Sequence, residues 1–152
     1  MTTTVSGPKE LLKFAGTDLG TTSWHLVPQA DINLFARATH DDQWIHTDVE
    51  RAKTGPFGET IAHGYLTLAL FIPLWAELLV VENLSMAVNY GLNKVRFPAP
   101  LPSGSNIRLA AKIADVVDVG GGGYQLTIDA AVECDRTVKP VAVAQVIIRA
   151  YE

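Results

Sequence analysis

The chain has 152 residues, 12 Lys/Arg against 16 Asp/Glu for a formal charge of −4, and 48% apolar against 18% charged residues. This composition supports one globular domain over residues 1–152 with its own core. It excludes a disordered chain and, with no basic cluster, leaves nothing to grip nucleic acid.

The N-terminus, MTTTVSGPKE, has neither the basic start nor the apolar stretch of a secretion signal. Pro8 suits the first turn of a short helix over Lys9 to Phe14, and Gly16 is a natural stop. Thr21 to Val27, rich in β-branched and aromatic residues, reads as a strand. Pro28 ends it and starts a helix from Gln29 to Ala38, with Ile32, Phe35 and Ala36 on one face. That helix delivers the chain into Thr39-His40-Asp41-Asp42-Gln43-Trp44-Ile45-His46, which has neither helical nor strand periodicity and reads as a loop. Asp48 to Lys53 resembles a short exposed helix capped by Asp48, and Gly55-Pro56-Phe57-Gly58 is a turn.

Ile61 to Val81 is apolar on all sides and predicts a helix surrounded by protein, kinked by Pro73. Its uncharged run from Tyr65 to Ala76 is too short to span a bilayer, so no membrane partner is expected. Four strand-like segments follow: Met86 to Phe97, Asn106 to Val117, Tyr124 to Cys134 and Val141 to Tyr151. Short turns between them favour antiparallel pairing. Gly120 to Gly123 joins two strands, so it is a hairpin turn rather than a phosphate loop. With one apolar helix to cover at least five strands, the fold class is α+β. The single cysteine, Cys134, permits no internal disulfide and fits a reducing cytoplasmic setting.

The chemistry concentrates at the His40–His46 loop and the Ile61-Ala62-His63-Gly64 start of the apolar run. A carboxylate beside an imidazole can share the protons of one water, which is general acid/base work near neutral pH. His40, Asp41, His46 and His63 are metal-ligand types, but their spacing follows no zinc pattern. No serine stands in a Gly-x-Ser-x-Gly elbow. Asp42 reads as a loop-stabilising carboxylate, His25 and His63 as structural, and His40 as a pocket residue or a cap on the preceding helix.

The segment Phe35 to Ala52 resembles the signature of the MaoC-like, or (R)-specific enoyl-CoA hydratase, family. Asp41, Gln43, Trp44, Ile45 and His46 stand at its Asp-x-Asn-Pro-aliphatic-His positions. Ile61-Ala62-His63-Gly64 is similar to its second landmark and Val95-Arg96-Phe97-Pro98-Ala99-Pro100 with Gly104 to its third, so the resemblance covers almost the whole chain. It is closest to short members labelled nodulation-protein-N-like. His40 replaces the family's glycine, Gln43 its asparagine and Trp44 its proline, which bears on substrate range rather than reaction type.

The resemblance implies a hot-dog fold, a curved antiparallel sheet around one long helix, and a homodimer or larger homo-oligomer acting on an acyl-CoA thioester. It implies Asp41 and His46 as the catalytic pair and the Gly64 N–H as donor to the thioester oxygen. Gln43, Trp44 and His63 would shape the substrate site, and Leu68 and Ile72 would line the acyl chain. Neither cofactor nor metal is implied, because CoA arrives with the substrate. The rival readings are a hot-dog acyl-CoA thioesterase and a non-catalytic acyl-CoA-binding subunit.

Overall fold

The computed structural model describes residues 1–152. In chain order the elements are β1 (Thr3–Val5), a 3-10 helix (Pro8–Phe14), β2 (Asp18–Thr21), β3 (His25–Leu26) and α1 (Gln29–Thr39). Then come α2 (Trp44–Thr47), α3 (Val49–Ala52), α4 (Gly64–Ala69), α5 (Phe71–Leu78) and β4 (Leu79–Val81). The chain closes with β5 (Met86–Arg96), β6 (Asn106–Gly120), β7 (Gly123–Cys134) and β8 (Ala142–Tyr151).

Six strands form one antiparallel sheet in the order β2-β6-β7-β8-β5, with β3 also paired to β6. β1 lies parallel to β4 and ties the N-terminus to the end of α5. The glycine run closes the β6–β7 hairpin: Gly121 and Gly122 have φ of 62° and 76°, and a two-residue turn matching the strand twist needs positive φ at both places.

Alternation along β6 turns Ile107, Leu109, Ala111 and Ile113 inward and leaves Lys112 outside. These meet Leu126 and Ile128 of β7 and, from α4 and α5, Leu66, Leu74 and Leu78 in one core. Cys134 is buried and free at the end of β7. No helix is long and apolar enough to cross a membrane.

Three sequence expectations are corrected. The early strand is two short pieces, because the Thr22 hydroxyl accepts from Leu109 N–H at 3.0 Å while Thr22 N–H donates to the Leu109 carbonyl at 2.9 Å. A side chain thus stands in for a main-chain acceptor and interrupts the ladder. The apolar run is two helices over 64–78 that meet at Leu70, with Pro73 inside the first turn of α5. Pro73 offers no N–H to Ala69 and its ring would crowd that carbonyl, so the break falls one turn before the proline. Nor is the run enclosed on all sides. Tyr65 is 76% and Ile72 43% exposed, which leaves an apolar stripe along α4 and α5 without cover from this chain.

Candidate acid/base site

α1 buries Ile32 and Ala36 and ends at His40, whose φ of 60° and ψ of 19° make it a left-handed C-cap. That conformation favours glycine or asparagine. His40 and Asn83 are the two non-glycine residues with positive φ. The cap reverses the chain so that Asp41 and Asp42 leave the helix exposed to solvent. The expected loop then contains α2, a single turn too short to show periodicity, followed by α3. Asp48 caps α3 as expected, its carboxylate accepting from Arg51 N–H at 3.0 Å. The Trp44 ring is seated on Gly55, where a Cβ would come within 2.8 Å of it. The Arg51 guanidinium lies 4.3 Å from the ring centroid on Trp44. Trp44 therefore anchors the α2–α3 corner.

His46 is buried and held at three points. Its main-chain N–H donates to the Gln43 carbonyl at 2.9 Å. Its own carbonyl accepts from the Gln29 amide at 2.7 Å. Nδ1 lies 2.7 Å from the Ile61 carbonyl; a carbonyl only accepts, so Nδ1 carries the proton and Nε2 is the bare, basic nitrogen. Burial, with the neighbouring His63 adding to it, holds the His46 pKa below its ordinary value of 6.5, against the opposing pull of the Ile61 carbonyl and Asp41. A depressed folded value means stability that is complete above pH 6.5 and drains as pH falls below it. The stability advantage of wild type over His46→Gln should therefore shrink on acidification through that value, as read by urea unfolding.

The second landmark is braced by main chain. Ile61 N–H donates to the Ile45 carbonyl at 3.0 Å, Ala62 N–H to Leu101 at 2.8 Å and Ser103 N–H to Thr60 at 2.9 Å. His63, 2% exposed, stacks on His46 with ring centroids 3.8 Å apart at 24°. Gly64 opens α4, so its N–H has no acceptor within the helix. A Cβ there would lie 3.0 Å from the Phe97 ring. His46 and Gly64 line one cavity of about 310 Å³, walled by Phe57, Thr67, Phe97 and Val141.

A carboxylate oxygen of Asp41 and one ring nitrogen each from His46 and His63 lie within 4.8 Å of one another. The Asp41 carboxylate and His46 Nε2 have no partner within the chain. Distance alone would admit a cation, but near-parallel rings 3.8 Å apart do not aim in-plane lone pairs at one point about 2 Å from both. What the arrangement offers is a carboxylate and an imidazole close enough to share one water's protons. Gln43 is exposed beside the pair. Leu68 and Ile72 line a separate apolar groove of about 300 Å³ between the helices and β5. His40 is the helix cap rather than a wall of the His46 cavity.

Sequence reasoning missed Gln29 and Thr60. Gln29 donates to the His46 carbonyl and to Asn33 Oδ1, and accepts from the buried Thr60 hydroxyl at 2.6 Å. A lone glutamine opening a helix carries no signal. Gln29→Leu strands the Thr60 hydroxyl and the His46 carbonyl, so urea unfolding should show a loss of about 1–3 kcal/mol.

A protein-family model described as the MaoC like domain matches residues 11–132. The chain is 48% identical over 140 residues to the 3-hydroxyacyl-thioester dehydratase Z of Mycobacterium tuberculosis, covering 92% of this chain and 93% of that protein. It is 38% identical over 131 residues to nodulation protein N of Rhizobium leguminosarum, covering 85% and 81%. Among solved structures, an Archaeoglobus monoamine oxidase regulatory protein superposes with a TM-score of 0.77 at 25% identity over 100% of this chain and 98% of that one. An (R)-hydratase from Pseudomonas aeruginosa, at 22% identity, superposes with 0.68 over 91% and 82%, a likeness of fold. The expected hot-dog architecture is borne out. Matched by the family model along most of its length and nearly half identical to a dehydratase over nine-tenths of it, the chain belongs to the MaoC-like dehydratase family.

Proposed function

We propose that this protein is an (R)-specific enoyl-CoA hydratase/dehydratase that reversibly adds water to a trans-2-enoyl-CoA. The observation that carries this reading is a carboxylate oxygen of Asp41 within 4.8 Å of a ring nitrogen of His46, with His46 and Gly64 lining one cavity. The named relative acts, by its name, on a 3-hydroxyacyl thioester, the hydrated partner of such an enoyl thioester.

In the proposed step one water sits between Asp41 and His46 Nε2. Its oxygen bonds to C3 as one O–H bond breaks, the proton passing to the pair. A proton from the pair returns to C2, so water is added whole. Charge developing on the thioester oxygen is met by the Gly64 N–H, which costs no reorganisation at the moment of reaction. Glycine keeps that approach open. Gln43, exposed next to the pair, would help set which acyl groups enter, Trp44 would do so through the α2–α3 corner it anchors, and His63 backs the site. Leu68 and Ile72 offer an apolar wall for the acyl chain. No cofactor is needed, and the proposed setting is the cytoplasm.

The proposed partner is a second copy of the chain. β5 pairs on one side alone, with β8, and its exposed Leu92 shares an apolar groove with the exposed Tyr65 and Ile72. A self-complementary edge and apolar stripe suit a two-fold dimer.

The test is turnover of trans-2-enoyl-CoA. Expected are loss of enoyl absorbance, an (R)-3-hydroxyacyl product, and an acid limb of kcat/KM with its inflection below 6.5, where His46 protonates. Release of free thiol without hydration would instead assign a thioesterase, and tight CoA binding without turnover a non-catalytic subunit.

A further inference from the structure

His63 stands at the N-cap of α4, yet its side chain makes no cap hydrogen bond to that helix. Its side chain instead reaches back 22 positions, with Nε2 at 2.8 Å from the main-chain carbonyl of Asp41. The carbonyl can only accept, so Nε2 carries the proton and Nδ1 is a bare acceptor. That Nδ1 is buried and has no partner. A stranded acceptor carries a penalty that a phenyl ring, packed against Phe35 as His63 is at 4.9 Å, would not incur. An imidazole kept at this expense points to the one bond it makes.

That bond is the only hydrogen bond Asp41 forms within the chain. Asp41 is exposed, and it follows the left-handed His40. The direction of its carboxylate therefore depends on how its main chain is held. On the other member of the pair, the Ile61 carbonyl fixes one edge of the His46 ring, and the face of His63 fixes its plane.

We propose that His63 is a positioning residue that sets the two members of the acid/base pair against each other, its Nε2–H clamping the Asp41 main chain and its ring face backing His46. The inference rests on the hydratase reading. One buried side chain then couples an exposed carboxylate, carried next to the left-handed His40, to a buried imidazole. A shift of about an ångström between reacting groups is enough to cost roughly 100-fold in rate.

Two variants separate the two contacts. His63→Phe keeps a flat ring against His46 and removes the donor. His63→Gln keeps a donor for the Asp41 carbonyl and removes the ring. His63→Phe should lower kcat on trans-2-enoyl-CoA by roughly 10- to 100-fold with KM within about twofold. His63→Gln should recover part of that loss. In an Asp41→Asn background, His63→Phe should cost almost nothing further, because a clamp on a carboxylate already removed has nothing left to position. A kcat for His63→Phe within about twofold of wild type, or an equal loss in both backgrounds, overturns the proposal.

A second readout is independent of turnover and of how well the variants fold. Nitrogen-15 NMR of the wild-type imidazoles should show His63 protonated on Nε2 and His46 on Nδ1. His63 in the Nδ1–H tautomer overturns the clamp whatever the activity. Expected tautomers in a protein without hydratase turnover would retain the clamp and remove the proposed reaction instead.

Discussion

Asp41→Asn and His46→Gln should each cut enoyl-CoA hydration by roughly 100- to 10,000-fold, the range of a lost general acid or base. Asparagine keeps the size of Asp41 and removes the negative charge that, in the proposed step, takes the water's proton. Because Asp41 is exposed and its carboxylate bonds to nothing in the chain, the variant should unfold within about 0.5 kcal/mol of wild type. The loss is therefore chemical, and it should fall on kcat. His46→Gln removes the basic Nε2, the bond to Ile61 and the stack on His63. Its unfolding curve must accompany its rate. Asp42→Asn is the control: Asp42 is exposed and its carboxylate has no partner, so a change within about threefold is expected. A loss as deep as that of Asp41→Asn would move the catalytic carboxylate by one residue and sink the assignment.

The second large effect concerns assembly. Leu92, 45% exposed on β5 and lining the groove with Leu68 and Ile72, should be replaceable by lysine in an isolated chain at little cost. In a dimer the same change buries an ammonium without a partner and removes an apolar contact worth about 1.5–3 kcal/mol. Leu92→Lys should therefore convert a dimer into a folded monomer by light scattering, with circular dichroism preserved. A wild-type protein that is already monomeric, with Leu92→Lys unchanged from it, would remove the second copy.

Much of the fold was legible because its signals are local. β6, β7 and β8 alternate, the glycine hairpin demands positive φ, and most of the apolar run was legible as helix. Where expectation failed, a local signal was outweighed or absent. Thr22 broke a strand by placing its hydroxyl in the ladder, and Pro73 acted on the preceding turn. α2 is shorter than any period that could announce it. The pair Asp41 and His46 was singled out by its match to the family signature. Of the frame around it only His63 was marked, by the second landmark; Gln29 and Thr60 act on main-chain or distant groups and left no signal. The unsheltered side of the apolar helices was hidden for a related reason: hydropathy records that a surface needs cover and not which chain provides it.

The bonds that brace the pair join Gln29 to His46, Ile45 to Ile61, Thr60 to Ser103 and Ala62 to Leu101. Each spans a long stretch of chain, so each closes a loop whose entropy must be offset before the contact contributes. No stretch shorter than residues 29–103 holds all of these ties. Competence therefore arrives late in folding, with the non-local contacts that set the rate for such topologies. Slackening at Leu101 would reach His46 through Ala62 and the neighbouring Ile61 carbonyl.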